Sequence, residues 1–229
     1  VFASTAYAED KPWDKSLAFG FNLTDGNSNT LLLNLNAKVS REKAKEIWRF
    51  EGNGNYGETE NDSGVDEKTQ EDLTLNAEYN RVIDEKWYGS LGLSTEYDDV
   101  AGIDYRVILK PNVGYYFIKN KKYTFSGEAG PTYVFEKLEG DKDDYFAPRL
   151  GERFEWQISE NAKLFQKAEY ILSVEDSDDY IVNAELGVEA ALNSSLSLVS
   201  TIRDSYNNRP ASGREKNDVA IVTALKLKL

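Results

Sequence analysis

"LAFGFNLTDGNSNTLLLNLNAKV" (Leu17–Val39) alternates with a period of two on both sides of a polar break. Leu17, Phe19, Phe21 and Leu23 fall on one face, and Ala18, Gly20, Asn22 and Thr24 on the other. After Asp25–Asn29 the pattern resumes with Leu31, Leu33, Leu35, Ala37 and Val39, interleaved by Leu32, Asn34, Asn36 and Lys38. Successive side chains of a strand point to opposite faces, so the stretch predicts a hairpin with one oily and one polar side. Asp25-Gly26-Asn27 suits the positive φ angles of a tight hairpin turn.

The same alternation recurs along the chain. Trp48, Phe50, Gly52, Gly54 and Tyr56 oppose Arg49, Glu51, Asn53 and Asn55; Leu73, Leu75, Ala77 and Tyr79 oppose Thr74, Asn76 and Glu78. Tyr105, Val107, Leu109 and Val113 oppose Arg106, Lys110 and Asn112, and Tyr180 to Leu192 alternates with Asn183, Glu185 and Glu189. Twelve such strands are expected, with no helical period and no linker. One position breaks the pattern. Glu152 stands among Leu150, Phe154 and Trp156, which calls for a bulge or a lipid-facing carboxyl near the rim. The connections divide into short ones (41–46, 84–86, 119–122, 159–162, 193–194) and a second set with long loops at 57–70 and 204–217. Medium loops at 98–104, 137–144 and 174–179 complete the second set.

Composition narrows the function. The 229 residues hold no Cys, His or Met, so disulfides, thiolate metal sites and Ser-His or Cys-His catalytic pairs are excluded. A lipid hydrolase would need another base for its serine, and no serine stands in a nucleophile-elbow context. The reading is a non-enzyme without cofactors. Twenty-seven basic against 40 acidic residues, net −13, argues against nucleic acid. Val1–Ala8 reads as the tail of an export signal, with Ala6-Tyr7-Ala8 as an A-x-A site; 9–15 would be a periplasmic segment and 16–229 the barrel.

Alternating strands can hide their oily face in a soluble, lipocalin-like barrel or turn it to lipid. The aromatics favour lipid. Trp48, Trp87 and Trp156 lie beside the short turns, while Tyr56, Tyr97, Tyr105 and Tyr180 lie near the opposite strand ends, as interfacial belts would. Many runs also reach the ~9–11 residues of a spanning strand. The expected fold is all-β: a closed antiparallel transmembrane barrel of about twelve strands, with short periplasmic turns and longer acidic outer loops.

Four stretches resemble the salt-induced outer-membrane protein family of Gram-negative bacteria, a β-barrel family otherwise described as a domain of unknown function. They are "GFNLTDGNSNT" (20–30), "LSTEYDDVAGIDYR" (93–106), "GEAGPTYVFE" (127–136) and "YILSVEDSDDYIVNAELGV" (170–188). The terminal "TALKLKL" resembles the strand read by barrel-insertion machinery, although it ends in Leu229 rather than an aromatic residue. The resemblance implies an outer-membrane location and brings no activity or catalytic residue. Lipid and that machinery are the implied partners; oligomeric state stays open.

The polar faces place Arg49, Glu51, Glu78, Arg81, Glu96, Arg106, Lys110, Glu128, Arg153, Glu185, Glu189 and Arg203 in the lumen, with Arg149, Lys167 and Glu169 beside them. Such a lumen suits a narrow passive pore for small solutes or cations, or a barrel largely closed by ion pairs. Carboxylates in the second set of loops are candidate cation ligands: Asp98, Asp99 and Asp104; Asp143 and Asp144; Asp176, Asp178 and Asp179. Their spacing matches no defined calcium loop. The alternative is a surface barrel with cation-binding loops and no transport.

Overall fold

The computed structural model describes residues 12–24, 29–60 and 64–229, which form twelve strands and no helix. They are β1 (Asp14–Thr24), β2 (Thr30–Lys43), β3 (Glu46–Glu60), β4 (Asp66–Val82), β5 (Trp87–Asp98) and β6 (Ile103–Lys119), followed by β7 (Tyr123–Leu138), β8 (Asp141–Ser159), β9 (Ala162–Leu172), β10 (Tyr180–Ala191), β11 (Leu196–Asn207) and β12 (Asn217–Lys228). Each strand pairs antiparallel with its chain neighbours, and β1 pairs with β12 from Ser16↔Lys228 to Phe19↔Leu225, closing the barrel. Closure leaves no edge whose N–H and C=O groups would go unpaired. The proposed export tail at 1–8 lies outside the described residues, as do 25–28 of the opening turn; β1 already includes Asp14 and Lys15 of the segment expected to precede the barrel.

The barrel is apolar on the outside. In the opening hairpin Phe19 faces Leu35 and Phe21 faces Leu33 on the outer wall, where Phe21 is 58% and Leu23 63% exposed. Ser16 and Ala18 of the same strand point inward and are buried. Ile221, on the last strand, is 73% exposed. Apolar exposure running round an entire barrel is costly in water and suits hydrocarbon. The oily face of Leu17–Val39 therefore points outward.

Three short turns share one local device. Asp84, Asn120 and Asn193 each accept hydrogen bonds from backbone N–H groups two and three residues ahead. The side chain mimics a backbone turn and fixes where the next strand begins.

At the other end the strands outrun the expected loops. Most of 57–70 is ladder: β3 and β4 continue to Glu60↔Asp66 through a register shift at Gly57/Glu58. The 204–217 loop shrinks to 208–216, and 137–144 to a two-residue turn. Glu139 (φ 46°) and Gly140 (φ 97°) both take positive φ, matching the right-handed twist of the flanking strands. Apolar alternation stops where side chains leave the oily layer, whereas backbone pairing has no reason to stop there.

The bulge considered at Glu152 is absent; β7–β8 register runs unbroken from Tyr123↔Trp156 to Leu138↔Asp141. Glu152 faces outward and accepts a 2.6 Å hydrogen bond from Gln166 Nε2.

Candidate functional site: the lumen septum

Alternation fixes which side chains point inward, and closure decides which of them meet. At mid-lumen, charges from distant strands touch. Arg153 Nη2 (β8) donates to Glu78 Oε2 (β4) at 3.1 Å, and Glu78 also pairs with Arg49 from neighbouring β3. Lys167 Nζ (β9) lies 3.6 Å from Glu51 Oε2 (β3) and 3.4 Å from Glu185 (β10). Arg203 (β11) donates to Asn53 Oδ1 (β3) at 3.0 Å while pairing with Glu185. These contacts span the barrel rather than follow its wall. Together they form a septum.

The septum separates two cavities, of about 430 Å³ toward the longer loops and about 330 Å³ toward the short turns. Glu51, Glu78, Arg153, Lys167, Glu185 and Arg203 line both. The loop-side cavity gathers Asp72, Glu96, Asp98, Glu215 and Asp218, and the turn-side cavity gathers Lys38, Lys163 and Lys226. Asp14, Glu155 and Glu189 also line the turn-side cavity, with Arg49, so charge runs from acidic to nearly balanced along the axis. Lys226 and Lys163 meet Glu189 on the turn side.

A second cluster stiffens the loop-side wall. Arg106, 4% exposed, bonds Glu136 at 2.6 Å and Glu96 at 3.1 Å. Arg149 bridges Glu128 and Glu169, and Lys110 reaches Glu169 at 3.5 Å. Beside these charges sits an inward apolar cluster of Ile108, Val134, Tyr145, Ala147, Ile171 and Ile181, all buried. The polar-lumen reading passed over it. Its trace in the sequence is the stretch Val107-Ile108-Leu109, apolar on both parities. Residues 208–216 fold over this mouth: Arg214 pairs with Glu139 on the β7–β8 turn, and Arg209 with Asp176.

Of the expected lumen charges, Arg49, Glu51, Glu78, Glu96, Arg106, Lys110, Glu128, Arg153, Glu185, Glu189 and Arg203 do line the cavities. Arg81 does not. It shares its parity with outward Tyr79 and pairs with Glu46 at the short-turn rim, its side chain 57% exposed.

The loop carboxylates disperse. Asp99 pairs with Lys68, Asp104 with Lys137, and Asp98 caps the Ala101 N–H. Asp144 accepts from the Tyr133 hydroxyl, Asp143 from the Asp144 N–H, and Asp176 from the Asp178 N–H. Burial, then the nearby Glu136 carboxylate, raises the pKa of Asp179. Among the described residues no group of three or more carboxylates is arranged to hold a metal ion.

The outer aromatics pack against one another in two sets. Trp48–Tyr79 (4.5 Å), Trp87–Tyr115 (4.8 Å) and Tyr123–Trp156 (6.1 Å) lie toward the short turns. Tyr170–Tyr180 (5.8 Å) lies toward the loops, where Tyr56, Tyr97 and Tyr105 are also exposed.

A closed antiparallel barrel with an apolar outer wall and a charged interior is the architecture of outer-membrane barrel proteins. Residues 17–227 match the family described as protein of unknown function, DUF481, and the chain belongs to that family. A search of curated proteins finds no match. The NanC porin structure is similar in fold, with a TM-score of 0.57 at 13% identity over 94% of this chain and 100% of that one. The COG4313 outer membrane channel from Pseudomonas putida F1 gives a TM-score of 0.54 at 10% identity over 100% of both chains.

Proposed function

We propose that the chain spans the outer membrane with its short turns toward the periplasm and serves as a narrow, constricted passage for small solutes. The septum carries the reading, because Arg153–Glu78 and Lys167–Glu51 cross the middle of the lumen and set the width that any solute must pass. Paired charges of both signs close the middle without leaving a charge unpaired. The acidic outer vestibule raises the local cation concentration and favours cations over anions at entry.

Single-channel recording in planar bilayers tests this. The wild-type protein gives small unit conductance, and Arg153→Ala with Lys167→Ala raises it about two-fold or more by widening the constriction. Reversal potentials in a salt gradient should report cation preference. Silence from both proteins at moderate voltage would leave a purely structural barrel.

A further inference from the structure

Two short turns hold lysines at the height of the outward aromatic band. In the β4–β5 turn Asp84 accepts the Lys86 and Trp87 N–H groups, and in the β6–β7 turn Asn120 accepts those of Lys122 and Tyr123. Both lysines therefore leave the backbone at fixed points. Neither side chain runs off into water: Lys86 Nζ lies over the Tyr115 ring at 5.8 Å, and Lys122 Nζ over the Tyr123 ring at 5.5 Å. These rings belong to one outward patch. Trp87–Tyr115, Tyr115–Phe117 and Phe117–Phe125 follow one another at 4.8, 5.2 and 5.1 Å, and Trp156 stacks beside Tyr123. Rings of this kind settle at the headgroup layer, so the ammonium groups held over them stand at the level of lipid phosphates. Lys121, on the same turn as Lys122, is exposed. The turns open onto β5 and β7, two strand spacings or roughly 10 Å apart, a gap that one headgroup can bridge.

These cations are unmatched. Among the described residues Lys86, Lys121 and Lys122 form no ion pair, whereas Lys68 and Lys137 at the opposite rim pair with Asp99 and Asp104. No Asp or Glu occurs from Tyr115 to Gly127. Of the carboxylates on the neighbouring turns, Asp84 is engaged by backbone N–H groups, and Glu85 and Glu160 are exposed. We propose that Lys86, Lys121 and Lys122 bind the headgroup of an anionic phospholipid whose acyl chains lie along Phe117 and Phe125. Phosphodiester oxygens supply the counter-charge that the protein withholds here, and hydrocarbon covers the rings. A zwitterionic headgroup carries its own ammonium group, which the three lysines repel. Lys119 takes no part, because it turns inward over the buried Tyr116 ring at 4.1 Å.

Two of the four tryptophans, Trp87 and Trp156, bracket the patch, and Trp13→Phe with Trp48→Phe leaves these two alone to report. In lipid vesicles, phosphatidylglycerol brominated on its acyl chains should quench them with an apparent affinity about five-fold or more above that of phosphatidylcholine brominated likewise, at low salt. Lys86→Gln with Lys121→Gln and Lys122→Gln should bring that ratio to about one, whereas Lys68→Gln with Lys137→Gln should leave it unchanged. Heat-modifiable gel mobility shows that each variant is a folded barrel. Equal quenching by the two lipids, a preference that survives the triple variant, or one lost equally in the Lys68 and Lys137 variant would overturn the proposal. The inference rests on the membrane reading. Quenching by neither lipid would sink that reading itself, whereas equal quenching by both sinks the headgroup site alone.

Discussion

Lys167 and Glu51 stand on β9 and β3, on opposite sides of a twelve-stranded barrel, and their charged atoms lie 3.6 Å apart. No ladder brings them together. The lumen is narrow enough for one lysine and one glutamate to bridge it, and the septum follows from that width.

Glu78 holds two arginines, Arg49 and Arg153. Glu78→Ala leaves both guanidiniums facing each other in a half-buried site and should cost about 1–3 kcal/mol, discounted for solvent in the lumen. Arg153→Ala should cost less, because Arg49 still neutralises Glu78. Denaturant unfolding in lipid vesicles would check the order; equal costs would show that Glu78 is not shared.

Arg106 is almost fully buried between Glu96 and Glu136. Arg106→Ala abandons Glu136 in the wall beside Val134 and Tyr145, at about 3–5 kcal/mol. Arg106→Met combined with Glu136→Leu should recover most of that loss, since well-packed apolar replacements of buried ion pairs are often neutral. A double variant no better than the single one would contradict this account.

Tyr88 lies flat over Gly114, packs on Tyr116 at 4.8 Å and donates to Glu128 at 3.0 Å. A Cβ at Gly114 would stand 2.1 Å from Cζ of Tyr88. Gly114→Ala must expel the ring, at about 1–3 kcal/mol. In the Tyr88→Ala background the same change should be nearly neutral, and a double-mutant cycle on unfolding free energies measures the coupling.

Asp84 accepts the Trp87 and Lys86 N–H groups in an exposed short turn, and these bonds hold its carboxyl below the usual range. Its folded value is lower than its unfolded one, so its contribution is complete above the ordinary carboxylate pKa of ~3.9 and fades as pH falls through the folded value. Amide exchange at Trp87 should quicken on acidification in that window beyond the intrinsic rate. Asp84→Ala should remove the pH-dependent part.

Leu17–Val39 alone left open which face meets lipid; that became legible once its period of two was joined to the aromatics at the ends of other strands, such as Trp48, Trp87 and Tyr180. Lumen membership was equally legible for Glu51, Glu78 or Arg203, since parity alone decides it. The septum was not. Whether Lys167 meets Glu51 depends on the stagger of strands around the barrel, and no local pattern encodes height. Arg81 misled because charge was read as lumen, whereas its odd position among Ala77 and Tyr79 already placed it outside. The inner cluster of Ile108, Val134 and Ile171 was missed for the opposite reason: apolar residues on the polar parity look like noise until closure brings them together.

The central claim is that the oily wall meets lipid and the charged one encloses the lumen. Nitroxide side chains at Leu33 and Leu75, compared with Asn76 and Arg203, measure it directly through collision rates with membrane-dissolved oxygen and with a water-soluble nickel chelate. Leu33 and Leu75 should favour oxygen, and Asn76 and Arg203 the chelate or neither. Leucine sites shielded from oxygen, with Asn76 and Arg203 open to it, would contradict the account.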